Sequence, residues 1–107
     1  MSEAEAREQF ILSYLDASTC HVTLAQTNEM TAAAADRFRP LWGGGVHILA
    51  DYEEGFFLYV PPADANRDRH LPENVRKIVE KARLHSVNLV RLDADGHVHD
   101  DLEQYEW

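Results

Sequence analysis

The residues with the most potential for chemistry lie near the end of the sequence, in the stretch LDADGHVHDDLEQYEW at positions 92–107. This stretch holds six carboxylates and two histidines, and it has no lysine or arginine. Its composition is compatible with a metal site, a phosphatase nucleophile loop, a calcium loop or an acidic surface for a partner. Each possibility needs other residues at particular spacings, and those can be checked against the sequence.

Two of these possibilities lack the residues that they need. The run from Asp93 to Gly96 follows an apolar segment, as the nucleophile loop of haloacid-dehalogenase-like phosphatases does, but only 11 residues follow it and none is Lys, Ser or Thr. A calcium loop with Gly96 at its sixth position would run from Arg91 to Leu102, and neither end is an acidic ligand. We therefore expect Asp93 to Gly96 to form a turn, for which Asp and Gly are favoured.

A metal site is an alternative that the sequence leaves open. His97 and His99 are two positions apart, so on a strand both side chains would point the same way. Zinc would need one or two more ligands, for which Asp100, Asp101 and His85 are candidates without a diagnostic spacing. A small metal-dependent enzyme or ligand-binding domain using His97 and His99 is thus one hypothesis. We predict no cofactor.

The overall charge bears on the kind of partner. Ten Lys and Arg against 19 Asp and Glu give a formal net charge of -9, which repels nucleic-acid phosphates, so we expect no direct binding to nucleic acid. The single cysteine, Cys20, favours a reducing cytoplasm, and no apolar run is long enough for a membrane span. A 45% apolar composition is enough for a hydrophobic core.

The elements that must position the acidic stretch form one domain over residues 1–107. We predict an N-terminal helix at about 3–17, a βαββαβ core at about 18–92 and an acidic tail at 93–107. The core begins with a strand at STCHVT and a helix at 24–38 that is capped by Thr23. A hairpin of VHILA and FFLYV follows, with a glycine in its turn that can adopt a positive φ. A helix at 72–85 and a strand at VNLVRL complete the core. This order predicts an α+β, ferredoxin-like sandwich. The run Gly43 to Gly45 is predicted to be a slack connector.

Several of these segments together resemble a known family. The segment STCHVT before a helix, EGFFLYVP, the pair Leu71-Pro72 and the closing LDADGHVHDDLEQYEW are similar to a small bacterial family of unknown function, over about residues 18–107. Phe56 stands where the family often has Trp, and Glu103 where it often has Pro. The resemblance implies no catalytic residues. It implies a setting on plasmids and integrated elements, where small acidic anti-defence proteins such as anti-CRISPRs also occur.

Our leading hypothesis is a non-enzymatic protein that binds a protein partner through an acidic face. The partner would be a nucleic-acid-binding bacterial defence complex, inhibited by a surface that mimics nucleic acid. A third hypothesis is a homodimeric accessory domain in which the basic helix of one copy pairs with the acidic tail of the other. The predicted binding residues, with two aromatic anchors, are Asp93, Asp95, Asp100, Asp101, Glu103, Tyr105, Glu106 and Trp107.

Overall fold

The computed structural model describes residues 13–107. Their elements, in chain order, are β1 (Leu15–Ser18), a 3-10 turn (Thr19–His21), α1 (Leu24–Ala35), a 3-10 turn (Trp42–Gly44), β2 (His47–Tyr52), β3 (Gly55–Tyr59), α2 (Ala65–Asp68), α3 (Glu73–Leu84) and β4 (Leu89–Asp93). The α+β class is confirmed. The predicted N-terminal helix falls largely on residues 1–12, outside the described part, and its predicted last turn is wrong because Leu15 to Ala17 are strand.

The strand order differs from the ferredoxin-like prediction. The sheet runs β1-β4-β3-β2, with β1 parallel to β4 and the other two neighbouring pairs antiparallel. A ferredoxin-like sheet is antiparallel and has its first strand in the interior, whereas here β1 lies at an edge and β4 is inserted between β1 and β3. The pairing prediction was wrong because a βαββαβ order of elements is compatible with several strand arrangements, and the short helix α2 was not predicted.

One sheet face forms the core with the helices. Alternate residues point to this face, among them Ala17 on β1, Leu58 on β3 and Leu92 on β4. The helices contribute apolar stripes to the same cluster, which comprises on the helical side Met30, Ala33, Val75, Ile78, Val79 and Ala82. Burial of this shared apolar face is what holds the helices on the sheet.

Local signals explain where α1 and the turn before it begin. Thr23 accepts a hydrogen bond from the backbone N–H of Gln26, and the Gln26 side chain accepts one from Thr23 N–H, which is a complete capping box. The predicted strand STCHVT is wrong beyond Ser18. The Ser18 hydroxyl accepts from the N–H of Cys20 and bends the chain into a 3-10 turn instead of extending it.

Two glycine predictions are corrected by the packing. The hairpin turn consists of Glu53 and Glu54, and Gly55 begins the second strand. Gly55 does not have a positive φ. It is needed because a Cβ at this position would lie 1.8 Å from the carbonyl oxygen of Leu92. Gly43 does have a positive φ, of 68°, but its Cβ position lies 2.6 Å from the side chain of His70. The glycine run is therefore a packed turn rather than a slack connector.

The other sheet face carries aromatic rings and the ion pairs of Arg91 with Asp16 and Asp93. Tyr14 packs edge-on against Phe57, with ring centroids 5.6 Å apart, and Tyr52 lies 6.0 Å from Phe57. The guanidinium of Arg91 lies 5.9 Å over the ring of Tyr14 and pairs with Asp16 at 2.8 Å. These contacts tie β1 to the middle of the sheet across β4.

Candidate binding site at the C-terminal segment

The candidate site begins at the carboxyl ends of the parallel strands β1 and β4. Here the chain turns after Asp93, whose carboxylate accepts hydrogen bonds from the Tyr52 hydroxyl at 2.8 Å and from the backbone N–H of Asp95 at 2.7 Å. The bond from Asp95, followed by that from Tyr52, lowers the pKa of Asp93. Burial and the bond to Asp93 raise the pKa of Tyr52 to about 12. Asp93 is 6% exposed, so it stabilises the turn and is not accessible to a partner.

Gly96 brings this turn against β1. A Cβ on Gly96 would lie 2.2 Å from the carbonyl oxygen of Ala17, so only glycine allows the approach. The next residue, His97, then accepts a hydrogen bond at its carbonyl from the N–H of Ser18. The predicted turn from Asp93 to Gly96 is thus present, and it directs the rest of the chain across the edge of β1.

Residues 97–107, which we call the C-terminal strap, lie along this edge. The backbone N–H of His97 donates to the carboxylate of Asp16, and the ring Nε2 of His99 donates to the carbonyl oxygen of Asp16 at 2.7 Å. The strap has no helix or strand of its own. It satisfies polar groups on the outer side of β1, so this sheet edge is covered.

The buried ring of His21 holds the strap from beneath. His21 is 1% exposed; its Nδ1 lies 2.8 Å from the carbonyl oxygen of Glu103, and its Nε2 accepts from the N–H of His99 at 2.9 Å. Its own carbonyl accepts a hydrogen bond from the side chain of Asn74 on α3. His21 therefore links the 3-10 turn, α3 and the strap.

Two lysines of α3 pair with acidic residues of the strap. Lys77 contacts Glu103 at 3.0 Å and Lys81 contacts Asp101 at 2.7 Å. The bond from Lys81 lowers the pKa of Asp101, and those from the Tyr105 hydroxyl and then Lys77 lower the pKa of Glu103. The basic helix and the acidic tail, predicted to pair between two copies of the chain, pair here within one chain.

The aromatic residues of the strap border an open pocket. The N–H of Tyr105 donates to the carbonyl of Cys20, and the indole Nε1 of Trp107 donates to the carbonyl of Val22. Trp107 nevertheless remains 57% exposed. Together with residues of the first 3-10 turn and of the turn that follows β4, they line a pocket of about 210 Å³. The lining residues are Ser18, Thr19, Cys20, Ala94, Tyr105 and Trp107.

Exposed carboxylates lie on the two turns at this end of the sheet and on the C-terminal strap. The β2–β3 turn lies beside the β4 turn, because the N–H of Ala94 donates to the carbonyl of Glu54 at 2.9 Å. Within residues 13–107, no ion pair involves the exposed carboxylates of this region, which are Asp51, Glu53, Glu54, Asp95, Asp100 and Glu106. We call these six residues the acidic rim.

The histidines do not form a metal centre in the described part of the chain. His97 and His99 are close, with ring centroids 4.6 Å apart, and His21 lies 5.8 Å from His99. Both nitrogens of His21 and Nε2 of His99 face backbone groups instead of an open space. Among the described residues, no group of three His, Cys, Asp or Glu side chains is arranged to hold a metal ion.

The structure separates the six acidic residues among the predicted binding residues into three groups. Asp93 is buried in the turn; Asp101 and Glu103 are paired with lysines; and the exposed, unpaired residues of the prediction in this part of the chain are Asp95, Asp100 and Glu106. Tyr105 and Trp107 lie together at the pocket. Sequence reasoning missed His21 and Asn74, and no local pattern marks either residue because their partners are distant along the chain.

The fold and this site are those of a small α+β domain whose C-terminal strap packs on a four-stranded mixed sheet. Residues 14–107 match the model of the C-terminal domain of a family of unknown function, DUF5983, and the chain belongs to that family. This confirms the resemblance to a family of unknown function. No curated protein and no solved structure matches the chain. None of the helices in residues 13–107 is long and apolar enough to cross a membrane.

Proposed function

We propose that this domain is a non-enzymatic binding module that engages a protein partner through the pocket beside Trp107 and the surrounding acidic rim. The observation that carries the proposal is the state of Trp107. Its indole N–H is fixed on the carbonyl of Val22 at 3.1 Å, while more than half of the side chain stays exposed. A large aromatic held in one position and open to solvent is typical of an interface anchor.

The size of the pocket favours a side chain over a small molecule. Sites for small ligands have volumes of about 300–1,000 Å³ and bury most of the ligand. The pocket here is about 210 Å³ and open to solvent, and it is lined by hydroxyl, thiol and aromatic groups. It is suited to one or two side chains of a partner.

The charge around the pocket indicates which side chains these would be. The acidic rim supplies six exposed carboxylates, and the aromatic walls can receive a cation over a ring face. An Arg or Lys side chain satisfies both. Complementary charge of this kind speeds association and confers specificity more than it adds affinity.

A narrower form of the proposal is that the partner normally binds nucleic acid, and that this domain occupies the same site. Carboxylates spread over one end of a domain can occupy a groove that otherwise holds phosphates. The domain would then act as an inhibitor of a nucleic-acid-binding protein, such as a bacterial defence complex, encoded on a mobile element. The acidic rim and the resemblance described above support this form.

The test is affinity capture from the lysate of the native host with matched charge variants. The wild type is compared with a double charge reversal, Asp95→Lys and Asp100→Lys. The control is Glu80→Lys, which reverses the charge of an exposed residue on α3. We expect a stoichiometric partner that is retained by the wild type and by Glu80→Lys, reduced at least tenfold by the double reversal, and weakened by salt. Asp101 is left unchanged because its loss would also remove the Lys81 pair.

A second variant separates the pocket from the rim. Trp107→Ala should reduce recovery of the same partner, whereas Leu84→Ala, which truncates an 80% exposed residue on another surface, should not. Equal recovery with all variants would exclude the proposed surface. If a partner is found, added nucleic acid that displaces it would support the narrower form, and continued binding in its presence would contradict that form.

A further inference from the structure

We propose that His21 is a proton-sensitive latch, which holds the C-terminal strap on the domain while its ring is neutral and releases the strap when the ring is protonated. This inference goes beyond the proposed function, because it concerns the assembly of the site rather than its partner. It rests on the two hydrogen bonds that join the buried ring to the backbone of the strap.

The two bonds allow a single protonation state. Nε2 faces the backbone N–H of His99 at 2.9 Å, and this group can only donate, so Nε2 must carry a lone pair. Nδ1 faces the carbonyl oxygen of Glu103 at 2.8 Å, which can only accept, so Nδ1 carries the proton. The geometry therefore requires the neutral Nδ1–H tautomer.

A second proton on the ring would be incompatible with this arrangement. It would place an N–H of His21 against the N–H of His99, which removes one hydrogen bond and sets two donors against each other. The ring is 1% exposed, so water does not solvate the new charge. The response that relieves this conflict is movement of the strap, which is held by Leu102 in the core, by single hydrogen bonds and by two ion pairs rather than by regular secondary structure.

The groups around His21 do not compensate for the charge. From the strap, the ring of His99 lies 5.8 Å away and becomes a like charge when protonated, with His97 behind it. From α3, Asn74 offers a neutral amide to the carbonyl of His21. The carboxylates on this side are committed elsewhere, in the pairs Lys77–Glu103, Lys81–Asp101 and Arg91–Asp16.

The same ion pairs keep the latch separate from general acid unfolding. The pKa values of Asp101 and Glu103 are lowered, so these pairs contribute stability above the ordinary carboxyl pKa values and lose it only as the pH falls through the lowered ones. Free imidazole side chains protonate near pH 6.5. Above the ordinary carboxyl pKa values these two pairs are intact, so strap release in that range is assigned to a group other than Asp101 and Glu103.

The test follows hydrogen exchange of the strap relative to the sheet. The reporters are the backbone amide of Tyr105, bonded to Cys20, and that of His99, bonded to His21. The reference is the amide of Val60, bonded to the carbonyl of Asn88. Between pH 7.5 and pH 5.5 we expect the protection factors of the strap amides to fall several-fold relative to Val60, with the sheet intact; about tenfold is the limit for one group with an ordinary histidine pKa of about 6.5 in the released state.

Imidazole nitrogen chemical shifts of the wild type provide a measurement that needs no variant. At pH 7.5 they should show His21 as the Nδ1–H tautomer, and the loss of strap protection should follow its titration. A charged ring or the other tautomer at pH 7.5 would overturn the proposal. So would a strap that stays protected after His21 has become charged, or a ring that becomes charged only when the whole domain unfolds.

Two variants assign the effect to this histidine. His21→Gln keeps a side-chain acceptor for the N–H of His99 but cannot take up a proton, so the strap should lose its pH response. His85→Gln changes an exposed histidine at the end of α3 and should keep the response. If both variants loosen at pH 5.5 as the wild type does, another group controls the strap and His21 is not the latch.

Discussion

The pair formed by Asn74 and Gln26 gives the sharpest prediction of stability. Both side chains are 8% exposed. The Nδ2 of Asn74 donates to Oε1 of Gln26 at 2.7 Å and to the carbonyl of His21 at 3.2 Å, and Nε2 of Gln26 donates to Oδ1 of Asn74 at 2.9 Å. One substitution, Asn74→Ala, removes all three bonds.

The magnitude follows from the groups that are left behind. Oε1 of Gln26 keeps the N–H of Thr23 at 2.8 Å, so it stays satisfied. Nε2 of Gln26 and the carbonyl of His21 are left buried without these partners, and each such group costs about 1–3 kcal/mol. Together the two groups should lower the free energy of unfolding by about 2–6 kcal/mol. For a domain of this size, at about 4 °C per kcal/mol, that lowers Tm by about 8–24 °C.

Urea denaturation of matched variants is the assay. Asn28→Ala, at an exposed position of α1, removes the same side chain from a solvated site and should change the free energy of unfolding by less than about 0.5 kcal/mol. Replacing Asn74 alone by Leu leaves the amide of Gln26 buried without its partner, whereas replacing both residues by Leu removes both amides. The double variant should therefore lose less free energy of unfolding than the sum of the losses of the two single Leu variants. A cost of Asn74→Ala equal to that of Asn28→Ala, or strict additivity, would refute this reasoning.

Three further predictions concern the turn and the pocket. Gly96→Ala should lower the free energy of unfolding by about 2–4 kcal/mol in urea melts, since its Cβ would lie 2.2 Å from the carbonyl oxygen of Ala17; an unchanged midpoint would show that the turn can move away. Tyr52 should ionise near pH 12 in an absorbance titration, and Tyr52→Phe should raise the pKa of Asp93. A raised tyrosine pKa contributes stability below pH 10, and this stability is lost as the pH rises toward 12. The wild type should therefore be more stable than Tyr52→Phe below pH 10 and should lose this advantage between pH 10 and pH 12. A bulky maleimide on Cys20, which lines the pocket, should abolish partner recovery, and recovery that survives full labelling would place the partner elsewhere.

The helices and the hairpin strands could be predicted because their signals are local. The capping pair Thr23 and Gln26 marks the start of α1, and the stripe from Val75 to Ala82 marks α3. A continuous run of aromatic and aliphatic residues marks β3, and alternating residues mark β4. In each case, the side chains that determine the element lie within a few positions of one another, so the sequence alone contains the decisive information.

The strand β1 and the strand order could not be predicted in this way. β1 has four residues, and its Asp16 finds its partner Arg91 at a separation of 75 positions. The segment that looked more like a strand, STCHVT, turns after Ser18 because a hydroxyl competes for the backbone. A distant partner, rather than local propensity, selects which residues are extended.

The candidate site was predicted in part for the same reason. The acidic tail and its aromatic residues were recognised from their types, and Tyr105 and Trp107 do lie together at a pocket. That Glu103 and Asp101 would be paired with α3 depends on contacts across 26 and 20 positions. The role of His21 depends on contacts across 82 and 78 positions, for which no spacing rule exists.

The position of β4 in the sheet has a consequence for how the chain acquires its structure during synthesis. Of the strands in residues 13–107, β4 is the last to leave the ribosome, yet it lies between β1 and the hairpin of β2 and β3. Until it arrives, β1 has no strand to pair with, and only the hairpin can form from nearby residues. Closing so long a loop before any parallel pairing is gained makes folding slow and late. Shortened chains that lack β4 are therefore expected to be targets for proteases and chaperones rather than partly active domains.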